Sequence, residues 1–201
     1  MKRLITVGLT LVLLFGAVAC SKKTDESTTN GNDKVVDDAY MNYYRGAYEA
    51  NILPLNDYEM YTSDDTARNA FKDKQYPGNE AYLTDVRNAY NDSREKIQSF
   101  VDALKDDTNI GDDALKAEND KLITEGENLI NTIDTRVTRL DRITTEDYSR
   151  NQDDFIDYVN EVLNDDDNDD TNDKDDKDDD KVTNNFRDLL NKMNKRLGIT
   201  K

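Results

Sequence analysis

Few side chains in this sequence could do chemistry. There is no histidine and only one cysteine, Cys20. Ser-His-Asp and Cys-His catalysis are therefore excluded, and a zinc site built from the usual His and Cys ligands is disfavoured. No Gly-rich phosphate loop is present either. Carboxylates, tyrosines and lysines remain. They concentrate in an aspartate tract, a tyrosine-rich first half and a basic final stretch, with Cys20 apart from all three.

The aspartate tract, residues 164–181, holds eleven aspartates and three lysines without one apolar residue. Clustered carboxylates suit hard cations such as calcium. Counted from Asp165, however, the sixth and twelfth positions of an EF-hand loop would be Asp170 and Asp176, where Gly and Glu are required. The tract reads as a disordered linker, because it cannot bury enough surface to offset its ordering entropy. A cation site using Asp165, Asp167, Asp169 and Asp173 is the alternative, and no cofactor is expected.

Nine of the eleven tyrosines lie between Tyr40 and Tyr90. An apolar ring with a polar tip serves a protein interface or a sugar-binding surface, and equally a half-polar core. Helical spacing favours the core for most of them. Tyr58, Glu59, Met60 and Tyr61 follow Pro54 in an irregular stretch and make the candidate contact surface. In the final stretch Arg187, Lys192, Lys195, Arg196 and Lys201 face only Asp188. A basic amphipathic helix could lie on an anionic membrane or bind an anionic polymer. The favoured reading is a helix that folds back and completes a bundle.

The elements that would position these groups are helical. Val36, Tyr40, Tyr43 and Ala47, widened by Val35, Ala39, Tyr44 and Tyr48, predict a helix over 34–51 ended by Pro54. Ser63 with Asp64 and Asp65 suggests a short helix start, and Tyr76-Pro77-Gly78-Asn79 a turn. Leu83, Val86, Tyr90, Ser93, Ile97, Phe100 or Val101, and Leu104 predict a second long helix over 80–106. Asp112 can cap a third, with a stripe of Leu115, Leu122, Leu129, Ile130, Ile133, Val137, Leu140 and Ile143. Gly126 falls on that stripe, either permitting a close crossing or merely weakening the helix. A capping-box-like Thr144-Thr145-Glu146-Asp147 starts a fourth, continued by Tyr148, Gln152, Phe155, Val159 and Val162. Val182, Phe186, Leu189, Leu190, Met193 and Leu197 predict a fifth over 183–197, closed by Gly198. The fold expected is all-α: an elongated antiparallel bundle of four to five helices with a disordered acidic loop.

The first twenty residues are of another kind. Lys2 and Arg3 precede an uncharged apolar run over 4–18, and small residues lead to Cys20. This is the pattern of a secretory signal peptide. The run falls short of the roughly twenty residues of a membrane-spanning helix. Ala17-Val18-Ala19-Cys20 resembles the lipobox of bacterial lipoproteins, which implies lipidation of Cys20 and cleavage before it; cleavage after Ala19 by an ordinary signal peptidase is the other possibility. Glu59-Met60-Tyr61, followed by Thr62, resembles the motif of the EMYY-motif lipoproteins of staphylococci. The anchored, charged, helical plan and the helix from Phe186 to Gly198 resemble the YkyA-like cell-wall-binding lipoproteins. Both resemblances imply a Gram-positive envelope, and neither implies a defined activity.

The expected layout is a signal peptide over 1–19, a flexible tether over 20–33, a helical domain over 34–163, the acidic linker over 164–181 and a C-terminal helix over 182–201. Removing the leader deletes Lys2 and Arg3 and takes the formal charge from −17 to −19. Nucleic acid is thereby excluded as a partner, since phosphate binding needs a basic patch. The reading is a non-enzymatic protein, held to the outer face of a cell membrane through Cys20, that binds an envelope protein or a cell-wall polymer. Cation binding or charge buffering by the aspartate tract is the alternative.

Overall fold

Helix α1 (Asp38–Asn51) opens the domain and inserts Tyr40, Tyr44 and Tyr48 into the core. The computed structural model describes residues 38–57, 74–106, 110–164 and 178–199. Every regular element among these is helical: α1, α2 (Asn79–Asp106), α3 (Asp113–Arg139), α4 (Gln152–Asn164) and α5 (Asp178–Arg196), with short 3-10 turns between some of them. The all-α bundle expected from the spacing is the fold found. The short helix start at Ser63 and most of the acidic linker lie outside the described residues.

Pro54 sits in a 3-10 turn (Leu53–Asp57) directly after α1, where its missing N–H and fixed φ end the α-helix. Ile52 and Leu55 carry the buried line onward from Tyr48. The stripe of α1 is thus Tyr40, Tyr44, Tyr48, at steps of four. It is not the line through Tyr43, which is 41% exposed. A step of four keeps all three large rings on the face that meets α2, α3 and α5.

The α2 stripe is as predicted, with Leu83, Val86, Tyr90, Ser93, Ile97, Phe100, Val101 and Leu104 all buried. The residues of the predicted turn carry no regular secondary structure and lead to Gly78, whose φ of 100° is costly for any residue with a Cβ. The Gly78 carbonyl accepts the first helical bond, from Tyr82 N–H (2.8 Å). Asn79, the first helical residue, donates from Nδ2 to the carbonyls of Tyr148 (3.0 Å) and Arg150 (2.9 Å). This ties the start of α2 to the connection before α4.

Asp112 caps α3, its Oδ1 accepting from the N–H groups of Ala114 (2.8 Å) and Leu115 (3.0 Å). The buried line of α3 and its 3-10 extension (Leu140–Arg142) runs Leu115, Asn119, Leu122, Gly126, Leu129, Ile133, Arg136, Leu140, alternating steps of four and three. Val137, expected on this line, is only partly buried, and Arg136 takes the position. Gly126 resolves in favour of a close crossing: a Cβ there would lie 2.5 Å from Val101 Cγ2 and 3.3 Å from Phe186 Cε2. Helices α2 and α5 approach α3 at this residue because it has no side chain.

The fourth helix begins later than predicted. Asp147 Oδ2 accepts from Thr144 N (2.9 Å) and Oγ1 (3.1 Å), but the Thr144 side chain does not return a bond to the Asp147 N–H, and only a single 3-10 turn (Asp147–Ser149) follows. Asn151 caps α4 proper, its Oδ1 accepting from Asp154 N–H (3.0 Å). Phe155, Val159, Val162 and Leu163 are buried, whereas Gln152 is exposed. Tyr76, Tyr82, Phe155 and Tyr148 form a ring cluster, with successive centroids 5.4, 6.2 and 5.9 Å apart.

Helix α5 starts at Asp178, five residues before the predicted 183, so its first turn consumes the end of the aspartate tract. Negative charge is favoured at that end of a helix dipole. At the other end Gly198 (φ 66°) makes a Schellman closure, Ile199 N–H reaching the Asn194 carbonyl (2.8 Å). Arg94–Asp134 (2.6 Å) and Arg87–Asp141 pair α2 with α3 and its extension in antiparallel register. Gly126 beside Phe186 and Glu118 beside Arg196 set α5 antiparallel to α3.

Candidate functional site

Cys20, the contact candidates Tyr58, Glu59, Met60 and Tyr61, and the cation candidates Asp165, Asp167, Asp169 and Asp173 all lie outside the described residues. The remaining tyrosines of the first half are placed, and most of them point into the core, Tyr43 being the exposed one. Tyr40, Tyr44, Tyr48, Tyr82 and Tyr90 are buried, so the core reading favoured by their helical spacing holds and the interface alternative fails for them. Tyr44 packs among neighbouring rings, stacked on Tyr48 and tilted to Tyr40 with centroids 6.2 Å away in both cases, and edge-on to Phe100 at 5.7 Å.

Their hydroxyls are partnered inside the bundle. Tyr40 Oη donates to Asn119 Oδ1 on α3 (2.8 Å), and Tyr44 Oη donates to Asn194 Oδ1 on α5 (3.0 Å). Asn119 Nδ2 in turn donates to the Leu104 carbonyl on α2 (3.3 Å). Burial, reinforced by the neighbouring Tyr40 and Tyr48, pushes the Tyr44 phenol far above its ordinary range. It is a structural hydrogen-bond donor rather than an acid or a base.

Two buried arginines escaped the sequence reading. Arg136 and Arg139 are 3% and 8% exposed, and Arg139 Nη1 donates to the Leu163 carbonyl (2.9 Å) in the last turn of α4. Cationic hydrogen bonding there satisfies a carbonyl that the helix leaves open and complements its dipole. The signal was present: position 136 continues the four-three alternation of α3, but its residue type hid it.

The basic character of α5 is largely spent within the fold. Arg196 bonds Glu118 (2.7 Å) and Asp112 (3.2 Å), and Lys192 pairs with Glu118 (3.1 Å). Burial alone would raise the Glu118 carboxyl; the hydrogen bonds and charges of Arg196 and Lys192 outweigh it and hold the carboxyl below its ordinary value. With Phe186, Leu190, Met193 and Leu197 buried, α5 completes the bundle, as the favoured reading had it.

An open groove of about 470 Å³ is lined by Asp120, Lys121, Thr124 and Glu125 of α3 and by Asn185, Asp188 and Leu189 of α5. Apart from Leu189, its lining is short, polar or charged. Asp120 also borders a smaller hollow of about 240 Å³ against Leu104, Ile110 and Ile123. Among the described residues, no three acidic or thiol side chains converge as a metal site would require, and no helix is long and apolar enough to cross a membrane. No protein-family model, curated protein or solved structure matches the chain.

Proposed function

We propose that this chain is a lipid-anchored protein on the extracytoplasmic face of a Gram-positive cell membrane. It binds an envelope protein or a cell-wall polymer and catalyses no reaction. The observation that carries this is the segment ending Ala17-Val18-Ala19-Cys20, with Lys2 and Arg3 before an apolar run of fifteen residues. Lipid on Cys20 holds the molecule at the membrane, and stable anchoring calls for more than one acyl chain. A helical bundle that commits Tyr40, Tyr44, Tyr48, Tyr82 and Tyr90 and the apolar face of its C-terminal helix to its own packing supports a scaffold that presents a surface. Metabolic labelling with an alkyne analogue of palmitate tests the anchor. Wild-type protein should take up label and Cys20→Ser should not; an unlabelled wild-type protein, or a labelled Cys20→Ser protein, would overturn it.

A second reading is favoured by the eleven aspartates over 164–181. In it the tract binds or buffers cations at the surface. Calorimetric titration with calcium, showing stoichiometric micromolar binding that Asp165→Asn, Asp167→Asn, Asp169→Asn and Asp173→Asn together abolish, would establish it; heat of dilution alone would dismiss it.

A further inference from the structure

We infer that the groove between α3 and α5 is the docking site for a basic peptide segment of a protein partner. The inference rests on the partner-binding reading and supplies its chemistry. The seam has two unlike halves. Near Glu118 it is shut by Lys192 and Arg196. Beyond that point Asp120, Glu125 and Asp188 stand around an open volume of about 470 Å³ with only Lys121 among them. Among the described residues none of these four side chains has an ion-pair partner, although each belongs to an element where other charges are paired.

The geometry selects the kind of cation. The three carboxylates do not converge closely enough to hold a metal ion. They are spread along an open groove whose wall includes the half-buried Leu189. Spaced negative charge beside an apolar wall suits lysine or arginine, which lay their aliphatic stems on apolar surface and keep the charged head at the rim. The volume lies within the roughly 300–1,000 Å³ of ligand sites. The net negative charge of the groove repels an anionic wall polymer. The formal charge of −17 over the whole chain steers basic partners toward it.

The test uses the full chain purified in detergent and a fluorescein-labelled peptide of alternating leucine and lysine, followed by fluorescence anisotropy. The groove variant Asp120→Asn/Glu125→Gln/Asp188→Asn is compared with Asp85→Asn/Glu95→Gln/Asp106→Asn. The control removes the same charge from exposed positions on α2. Leu189→Arg, which places a cation in the groove, provides a second block. The groove triple and Leu189→Arg should each weaken binding about tenfold, a loss of roughly 1.4 kcal/mol, and the control about twofold or less. Equal weakening by both triples, or no binding of the leucine-lysine peptide, overturns the groove. Crosslinking in intact cells separates the two levels. A protein partner recovered equally by wild type and groove variant leaves the binding reading standing and removes the groove. No protein partner for wild type, with groove-dependent peptide binding intact, removes the binding reading instead.

Discussion

Gly126 and Tyr44 show how single residues decide packing here. In an exposed helix Gly→Ala gains about 1 kcal/mol. At position 126 the new methyl would sit 2.5 Å from Val101 Cγ2, a buried β-branched side chain with little freedom to turn away. Overpacking costs about 1–3 kcal/mol and wins. Gly126→Ala should therefore destabilise the protein in urea unfolding, and Val101→Ala added to it should recover part of the loss. Tyr44→Phe removes a buried donor and leaves Asn194 Oδ1 without its phenol, a loss of about 1–3 kcal/mol. Because the folded state raises the Tyr44 phenol above its ordinary value of 10.0, stability from this group is fully present below that pH and is lost as pH rises past it. Wild type should thus lose more stability than Tyr44→Phe between about pH 9 and about pH 11.

At the scale of elements, α3 is the helix that the others meet. Its buried line accommodates a tyrosine hydroxyl at Asn119 and a helix crossing at Gly126, while Arg139 reaches the end of α4. Its pairing with α5 has an acid-sensitive component. The folded Glu118 carboxyl titrates below its ordinary value of 4.5, so its contribution is present above that pH and is lost as pH falls through the lower folded value. The stability difference between wild type and Glu118→Gln should shrink steadily from about pH 6 to about pH 3 in thermal melts. A difference constant with pH would show that the ion pairs with Lys192 and Arg196 contribute nothing to the seam. The surface pairs between α2 and α3, such as Arg87 with Asp141, are more exposed and each worth about 1 kcal/mol or less.

For the whole molecule, α5 is an integral part of the core, not an appendage after a linker. Phe186, Leu190, Met193 and Leu197 are buried, and at roughly 1.5–3 kcal/mol each their loss rivals the entire stability of a small domain, about 5–15 kcal/mol. Deleting residues 178–201 should abolish the cooperative thermal transition followed by circular dichroism; a retained transition at an unchanged midpoint would show that the bundle stands without α5. The sequence by itself determined the all-α class, the α2 stripe, the Asp112 cap and the Gly198 closure, because apolar period and capping chemistry are local properties. Only the tertiary structure decided the rest. It chose the line Tyr40, Tyr44, Tyr48 over the one through Tyr43, put Arg136 where Val137 was expected, and decided between the two roles of Gly126 in favour of a crossing. It also opened the groove beside Asp120, Glu125 and Asp188. These depend on which side chain from a distant helix arrives opposite, and spacing along one helix carries no record of that.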